Sequence, residues 1–383
     1  MRKQRTSNKK YKVLEDLVNI VGPSGFEKYI QNYYSKLMKP FVDKIYNDRV
    51  GNCYAEIKGN INSPKIMINA HADTVGFMVK YIDERGFIFT EDLSGYYSFD
   101  YRMLPGTNVV ILSRKTGKII EGNFIPIVPI HKLKENELEE SISRDDLAID
   151  IGAKSLEHAK RYVNIGDYVV LESASQYRNI NGSHHFVGTN LDDRAGIFCM
   201  YLIAQELKKL KVKNRCPIVF VSTVREEGTP GAARVAAENV HPDVAITIDT
   251  TIATDCIRED DEDTIAKKYG IVRLGEGVVI TRGRGVDDNL FLYLEKICKR
   301  KKKPIKYQVE LGSSGQTENI DIQVSNKGIK TALLSIPTRN CHTSVETISL
   351  NDITSIVTLC IESVSYTHLR AHETRHDVVC RLL

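Results

Sequence analysis

Four apolar runs in this chain each lead to a residue able to bind a metal. Ile66-Met67-Ile68-Asn69-Ala70 ends on His71, with Asp73 two residues later. Ile218–Val221 leads to Glu226-Glu227, Val244–Ile248 ends on Asp249, and Ala332–Ile336 leads to His342. Sites in open α/β sheets form at the carboxyl ends of strands. A single ending of this kind is uninformative; four, all histidine or carboxylate, point to one shared site. With Asp192 and Asp193 the donor supply becomes His71, Asp73, Asp192, Asp193, Glu226, Glu227, Asp249 and His342. Zinc and related divalent ions take imidazole nitrogen and carboxylate oxygen. Two such ions about 3.5–4 Å apart clamp a water and polarise a carbonyl. No cysteine is expected to join them, which favours hydrolytic chemistry over a structural zinc.

Each residue alone has a plainer reading. Asp192-Asp193 could cap a helix, Glu226-Glu227 could be a solvated acidic step, Asp249 a turn residue and His342 a core histidine. Their common placement at strand ends reverses that balance. His184-His185 falls in a polar turn and is expected in solvent; His131 is undecided.

These donors need a scaffold that brings distant segments together. Residues 11–40 read as two helices broken at Pro23-Ser24-Gly25, followed by strands near 42–47, 52–58 and 65–70. Residues 76–187 carry short alternating runs separated by turns such as Glu84-Arg85-Gly86, the pattern of a small β-rich unit, a barrel or a PDZ-like sandwich. Its polar stretch 132–146 reads as an exposed loop. From 190 helices and strands alternate again. The fold class is α/β, with the catalytic part split into 1–75 and 188–363 around the insertion at 76–187. Residues 364–383 read as a non-native or disordered tail, resembling translated adapter sequence. Their histidines 368, 372 and 376 are left out of the site.

Composition narrows the class. At 383 residues the chain is long for one domain, and 42% hydrophobic with 27% charged residues suits a globular enzyme. A net charge of +4 does not argue for nucleic acid, and six basic residues among the first twelve read as a solvated tail. No window is apolar enough for a membrane span, and no signal-peptide core is evident. The eight cysteines lack CxxC or framework spacing, as in a cytoplasmic protein with reduced thiols.

The strings HADTVGFMV, GTNLDDRAG, VREEGTPGA, ITIDT and PTRNCHTSVE, in this order, resemble the TET-like or glutamyl (deblocking) aminopeptidases, over about residues 11–363. The resemblance implies a mixed sheet flanked by helices, of the phosphorylase/hydrolase-like zinc-peptidase type. It implies two divalent ions, zinc or cobalt. His71 and Asp249 would hold the first, Glu227 and His342 the second, and Asp192 would bridge them. Asp73 would orient His71, and Glu226 would be the general base for a bridging hydroxide. The implied activity removes N-terminal residues from peptides. The implied assembly is a homo-oligomer built from dimers, commonly a dodecamer, with the insertion supplying dimer contacts. The alternatives are a carboxypeptidase or amide deacylase using the same metals, or a non-enzymatic metal-binding protein. The chain departs from the family pattern at Thr74, at Gly228-Thr229-Pro230 and at Asn340-Cys341. Those changes bear on specificity and site shape.

Overall fold

The computed structural model describes residues 11–94, 98–134, 140–173, 175–210, 216–258, 262–312 and 317–371. Strand Ile66–His71 is buried along its whole length, as is Ile218–Thr223. Continuous apolar runs of this kind belong to inner strands covered on both faces. The two pair in parallel with Thr223 beside His71, and Val244–Ile252 pairs in parallel with Ile66–His71 on the other side. Lys330–Arg339 follows, again parallel, with Asp249 opposite Ser335. All four therefore run the same way and bring their carboxyl ends to one edge.

Antiparallel strands extend this core. Cys53–Ile57 and Lys44–Asn47 lie beyond Ile218–Thr223. Glu346–Ser349, Ser183–Gly188 and Gln176–Ile180 lie beyond Lys330–Arg339. Val278–Gly283 also pairs with Lys330–Arg339 and carries Tyr307–Gly312 in parallel. The result is the mixed α/β sheet expected, eleven strands among the described residues.

Side chains alternate between two helical layers. Ile66, Ile68, Ile218, Phe220, Ile246 and Ile248 pack with residues of helices Lys12–Asn19, Lys28–Met38, Leu191–Leu210, Asp288–Cys298 and Leu350–Ala371. Met67, Val219, Val221 and Ala245 face the other way, onto Ala232–Val240 and Ile322 of helix Glu318–Gln323. This period of two is what a strand covered on both sides requires.

The inserted unit is a closed barrel, which decides between the two β architectures. Its order is Phe77–Ile82, Ile88–Asp92, Leu147–Asp150, Ile119–Pro126, Asn108–Leu112 and Tyr168–Leu171. Phe77, Phe99 and Phe124 fill it, the first two stacked with ring centroids 4.1 Å apart. The strand Ile119–Pro126 passes close to its neighbour at Gly122, where a Cβ would meet Ile149 at 2.9 Å. The hairpin Gln176–Ile180/Ser183–Gly188 falls in segment 76–187 but for its last residue, yet it pairs with the large sheet. Phe186 and Val187 match Ile348 and Thr347 there, and Phe186 is buried in the main core.

Much of the 132–146 stretch is exposed, and 135–139 lie outside the described residues. Helix Leu350–Ala371 extends into the segment read as a tail; His368 is on it, and 372–383 lie outside the described residues. Among the described residues no helix is long and apolar enough to cross a membrane.

Candidate metal centre

The parallel strands deliver His71 and Asp249 directly. Asp192 arrives from the chain entering helix Leu191–Leu210, where Asp192 and Asp193 keep non-helical backbone angles across a cis peptide bond. Glu226 and Glu227 follow the strand Ile218–Thr223, and His342 follows Lys330–Arg339. Five of these side chains meet, with Asp192 at their centre and Glu226 outside the group. His71 Nε2 lies 3.1 Å from Asp192 Oδ1 and 3.7 Å from Asp249 Oδ1. His342 Nε2 lies 3.4 Å from Asp192 Oδ2 and 3.2 Å from Glu227 Oε1. Each oxygen of Asp192 thus faces a different histidine.

The imidazole tautomers test whether cations fit. His71 Nδ1 is 3.1 Å from the Asp73 carbonyl, and His342 Nδ1 is 2.8 Å from the Ser98 carbonyl. A carbonyl only accepts, so each Nδ1 carries the hydrogen. In a neutral ring that leaves an Nε2 lone pair facing carboxylate oxygens. Lone pairs at such distances repel unless a positive charge lies between them. Burial opposes protonation of His71, yet Asp192, Asp249 and Asp73 outweigh it and raise its pKa well above the ordinary value. The pocket therefore demands positive charge. Glu227 Oε1 is buried without a hydrogen-bond partner, although His342 Nε2 is near. Two histidines and three carboxylates arranged this way fit two divalent ions.

Asp73 contacts His71 through its main chain. Its carbonyl, not its carboxylate, is within hydrogen-bonding distance of His71; Oδ1 stays 3.6 Å from Nδ1. The carboxylate accepts from the backbone N–H of Glu226 and Glu227, both at 3.0 Å. It fixes the turn that aims the glutamate pair. Burial pushes the Glu226 carboxyl well above its usual range, reinforced by Asp249, Glu227 and Asp73. Both glutamates border an open cavity of ≈ 220 Å³, along with Arg284, Thr317, Glu318 and Asp321.

Several participants were not read from the sequence. Glu346 accepts from the N–H of Leu191 at 2.5 Å, of Asp192 at 3.2 Å and of His342 at 2.7 Å. Burial raises its pKa to about 8. Glu318 accepts from Asn69 and Thr223, both at 2.7 Å, and burial raises it to about 7. Thr250 donates to Asp192 Oδ2 at 2.8 Å, and Thr317 donates to Asp249. Asp193, which the sequence did offer as a donor, accepts from Gly196 N at 2.9 Å and from His71 N at 3.3 Å. The expectation that no cysteine would join the cluster does not hold. Cys341 Sγ is 2.9 Å from Asp192 Oδ2, because the turn into His342 points both side chains at that carboxylate. His184 and His185 lie on the hairpin, His184 contacting Tyr177 Oη at 2.5 Å. His131 is exposed on a single turn near Pro129.

Comparison with known proteins places this geometry. The family model of the M42 glutamyl aminopeptidases matches residues 51–359. The lysyl aminopeptidase of Pyrococcus furiosus is 27% identical over 91% of this chain and 95% of its own length. The TET aminopeptidase of a marine sediment Thaumarchaeota archaeon superposes with a TM-score of 0.83 at 27% identity, covering 98% of this chain and 99% of that one. The Pyrococcus horikoshii TET1 peptidase, which can assemble into a tetrahedron or a large octahedral shell, gives 0.77 at 27% identity, covering 92% and 98%. The match spans both the sheet and the barrel, and the chain belongs to the M42 glutamyl aminopeptidase family of TET-like metallopeptidases.

Proposed function

We propose that this chain is a dinuclear metalloaminopeptidase that releases N-terminal residues from peptides. The observation that carries the reading is Asp192, whose two oxygens face two histidines whose Nδ1 atoms are already committed to carbonyls. His71 and Asp249 would hold one ion, Glu227 and His342 the other, and Asp192 both. When bound, the ions, zinc or cobalt, would acidify the attacking water and polarise the scissile carbonyl. Glu226 borders the cavity and takes the proton from that water. Its raised affinity for protons suits this, since a base must hold the proton until the leaving amine collects it. Asp73 keeps Glu226 and Glu227 in register through their amides. The acidic wall of the cavity suits a free, positively charged α-amine, which favours cleavage from the N-terminal end.

Residues 1–75 and 188–363 would act as one catalytic unit in a cytoplasmic enzyme. The inserted segment would supply dimer contacts for a larger shell. Tyr81, Ile119, Ile127, Val128, Tyr162 and Ile165 on it are exposed, more apolar surface than a barrel needs for itself. A monomer in sedimentation at micromolar concentration would rule out that assembly.

Leucine- and glutamate-p-nitroanilide, offered to the metal-loaded protein beside N-acetylated peptides, test the activity. Free-amine substrates should turn over and acylated ones should not. Glu226→Gln should lower turnover by about 10²–10⁴-fold while two ions stay bound. Two ions with no turnover across a broad panel would sink the aminopeptidase reading; loss of metal in the variant would move Glu226 among the ligands.

A further inference from the structure

Cys341 lies between strand Lys330–Arg339 and His342, where its thiol enters the metal centre. Its Sγ is 2.9 Å from the same Asp192 oxygen that faces His342. Donor atoms of Asp192, Cys341 and His342 all lie within 4.8 Å of one another. Zinc–sulfur and zinc–nitrogen bonds of about 2.3 and 2.0–2.1 Å let one ion reach all three after small adjustments. A second, independent feature points into the same space. The Glu227 side chain is only 7% exposed, and its Oε1 accepts no hydrogen bond. Among the described residues the His71 half has no such sulfur donor, its cluster being His71, Asp192 and Asp249.

We infer that Cys341 is an additional ligand of the ion in the His342 half, giving that half a sulfur donor. The inference rests on the two-metal reading above and extends it to the identity of the ion. Thiolate selects soft or borderline ions such as zinc, cadmium and cobalt over magnesium and manganese. Binding breaks the S–H bond, releases the proton to solvent and forms the sulfur–metal bond, with no change of oxidation state. The two halves would then differ in chemistry: one bound by nitrogen and oxygen only, the other by nitrogen, oxygen and sulfur.

Cobalt(II) titration of the metal-free full chain, followed by absorbance and by metal content, tests this. The native protein should take two ions and develop a sulfur-to-cobalt charge-transfer band in the near ultraviolet. Cys341→Ser and Cys341→Ile should still take two ions, keep the visible cobalt bands and lose the ultraviolet band. Zinc should outcompete manganese at one of the two sites by at least about tenfold less in Cys341→Ser than in the native protein. Two bound ions without the ultraviolet band, or a band that survives in both variants, overturns the sulfur ligand and leaves the two-metal reading standing. A native protein that binds no ion overturns both.

Discussion

The two halves of the proposed metal centre are built by different means. His71 closes an inner strand, and Asp249 lies within the neighbouring one, so the sheet's hydrogen-bond ladder sets their positions. His71 is 2% exposed. The His342 half hangs on turns instead. Asn340 and His342 both have left-handed backbones, at φ 56° and 59°, as does Arg225 ahead of the glutamate pair, at 63°. Non-glycine residues rarely hold that conformation without help. Here the help is buried carboxylate: Asp73 accepts from Glu226 and Glu227, and Glu346 from His342, Leu191 and Asp192. The His342 side chain is 28% exposed. One half thus takes its rigidity from the fold, and the other from carboxylates beneath its turns. The comparison teaches that donors gathered at one site need not share one dependence on the scaffold.

The harshest test removes what the halves share. Asp192→Ala should abolish turnover and leave less than one tightly bound ion per chain by mass spectrometry of the dialysed protein. If one ion stays with native affinity, the halves are independent and Asp192 is not their common ligand.

A pair of substitutions separates the halves. In the metal-free protein, His71→Ala should strip positive charge from a buried set of carboxylates, Asp192, Asp193 and Asp249. Leaving buried charge uncompensated costs on the order of 3–5 kcal/mol. His342→Ala acts at a partly exposed turn and should cost about 1 kcal/mol or less in stability, while loosening the ion beside Glu227. Denaturant midpoints and metal content of both variants check this. Equal loss of stability would erase the distinction between strand-set and turn-set ligands.

That distinction also explains what the sequence could show. His71 and Asp249 end or interrupt apolar runs, so a strand pattern places them without knowledge of pairing. Glu346 and Glu318 gave no such sign. Glu318 heads a short helix, and its partners are Asn69 and Thr223, which only sheet order brings within reach. Cys341 was passed over because one thiol beside a histidine has no spacing to recognise; the turn geometry aims it at Asp192. The barrel was legible as alternating runs between turns. The hairpin at 176–188 was not separable from it, since alternation reports a strand and never its partner. Asp73 was placed by its motif, but its carboxylate's work lies in the turn 153 residues away.

The mildest test concerns the scaffold behind the turn-built half. Asp352 begins helix Leu350–Ala371, directly after the strand that carries Glu346. It accepts from Gly275 N and Gly277 N, both at 2.8 Å, one on each oxygen. Burial raises its pKa to about 7 despite those bonds. A folded-state value above the unfolded one means that the native chain binds this proton more tightly. Its contribution therefore favours folding at low pH and is lost as pH rises from about 4 through about 7. Asp352→Asn cannot titrate, and its amide can accept at one atom only, so one glycine N–H faces a second donor. The variant should be less stable than the native protein near pH 5 by about 1–3 kcal/mol, with the gap narrowing by pH 8. Melting curves of both proteins across that range measure the gap directly. Parallel curves would mean that Asp352 stays ionised throughout, its two amide bonds outweighing burial. The carboxylates beneath the turns would then hold their charge in the interior as Asp192 does at the centre.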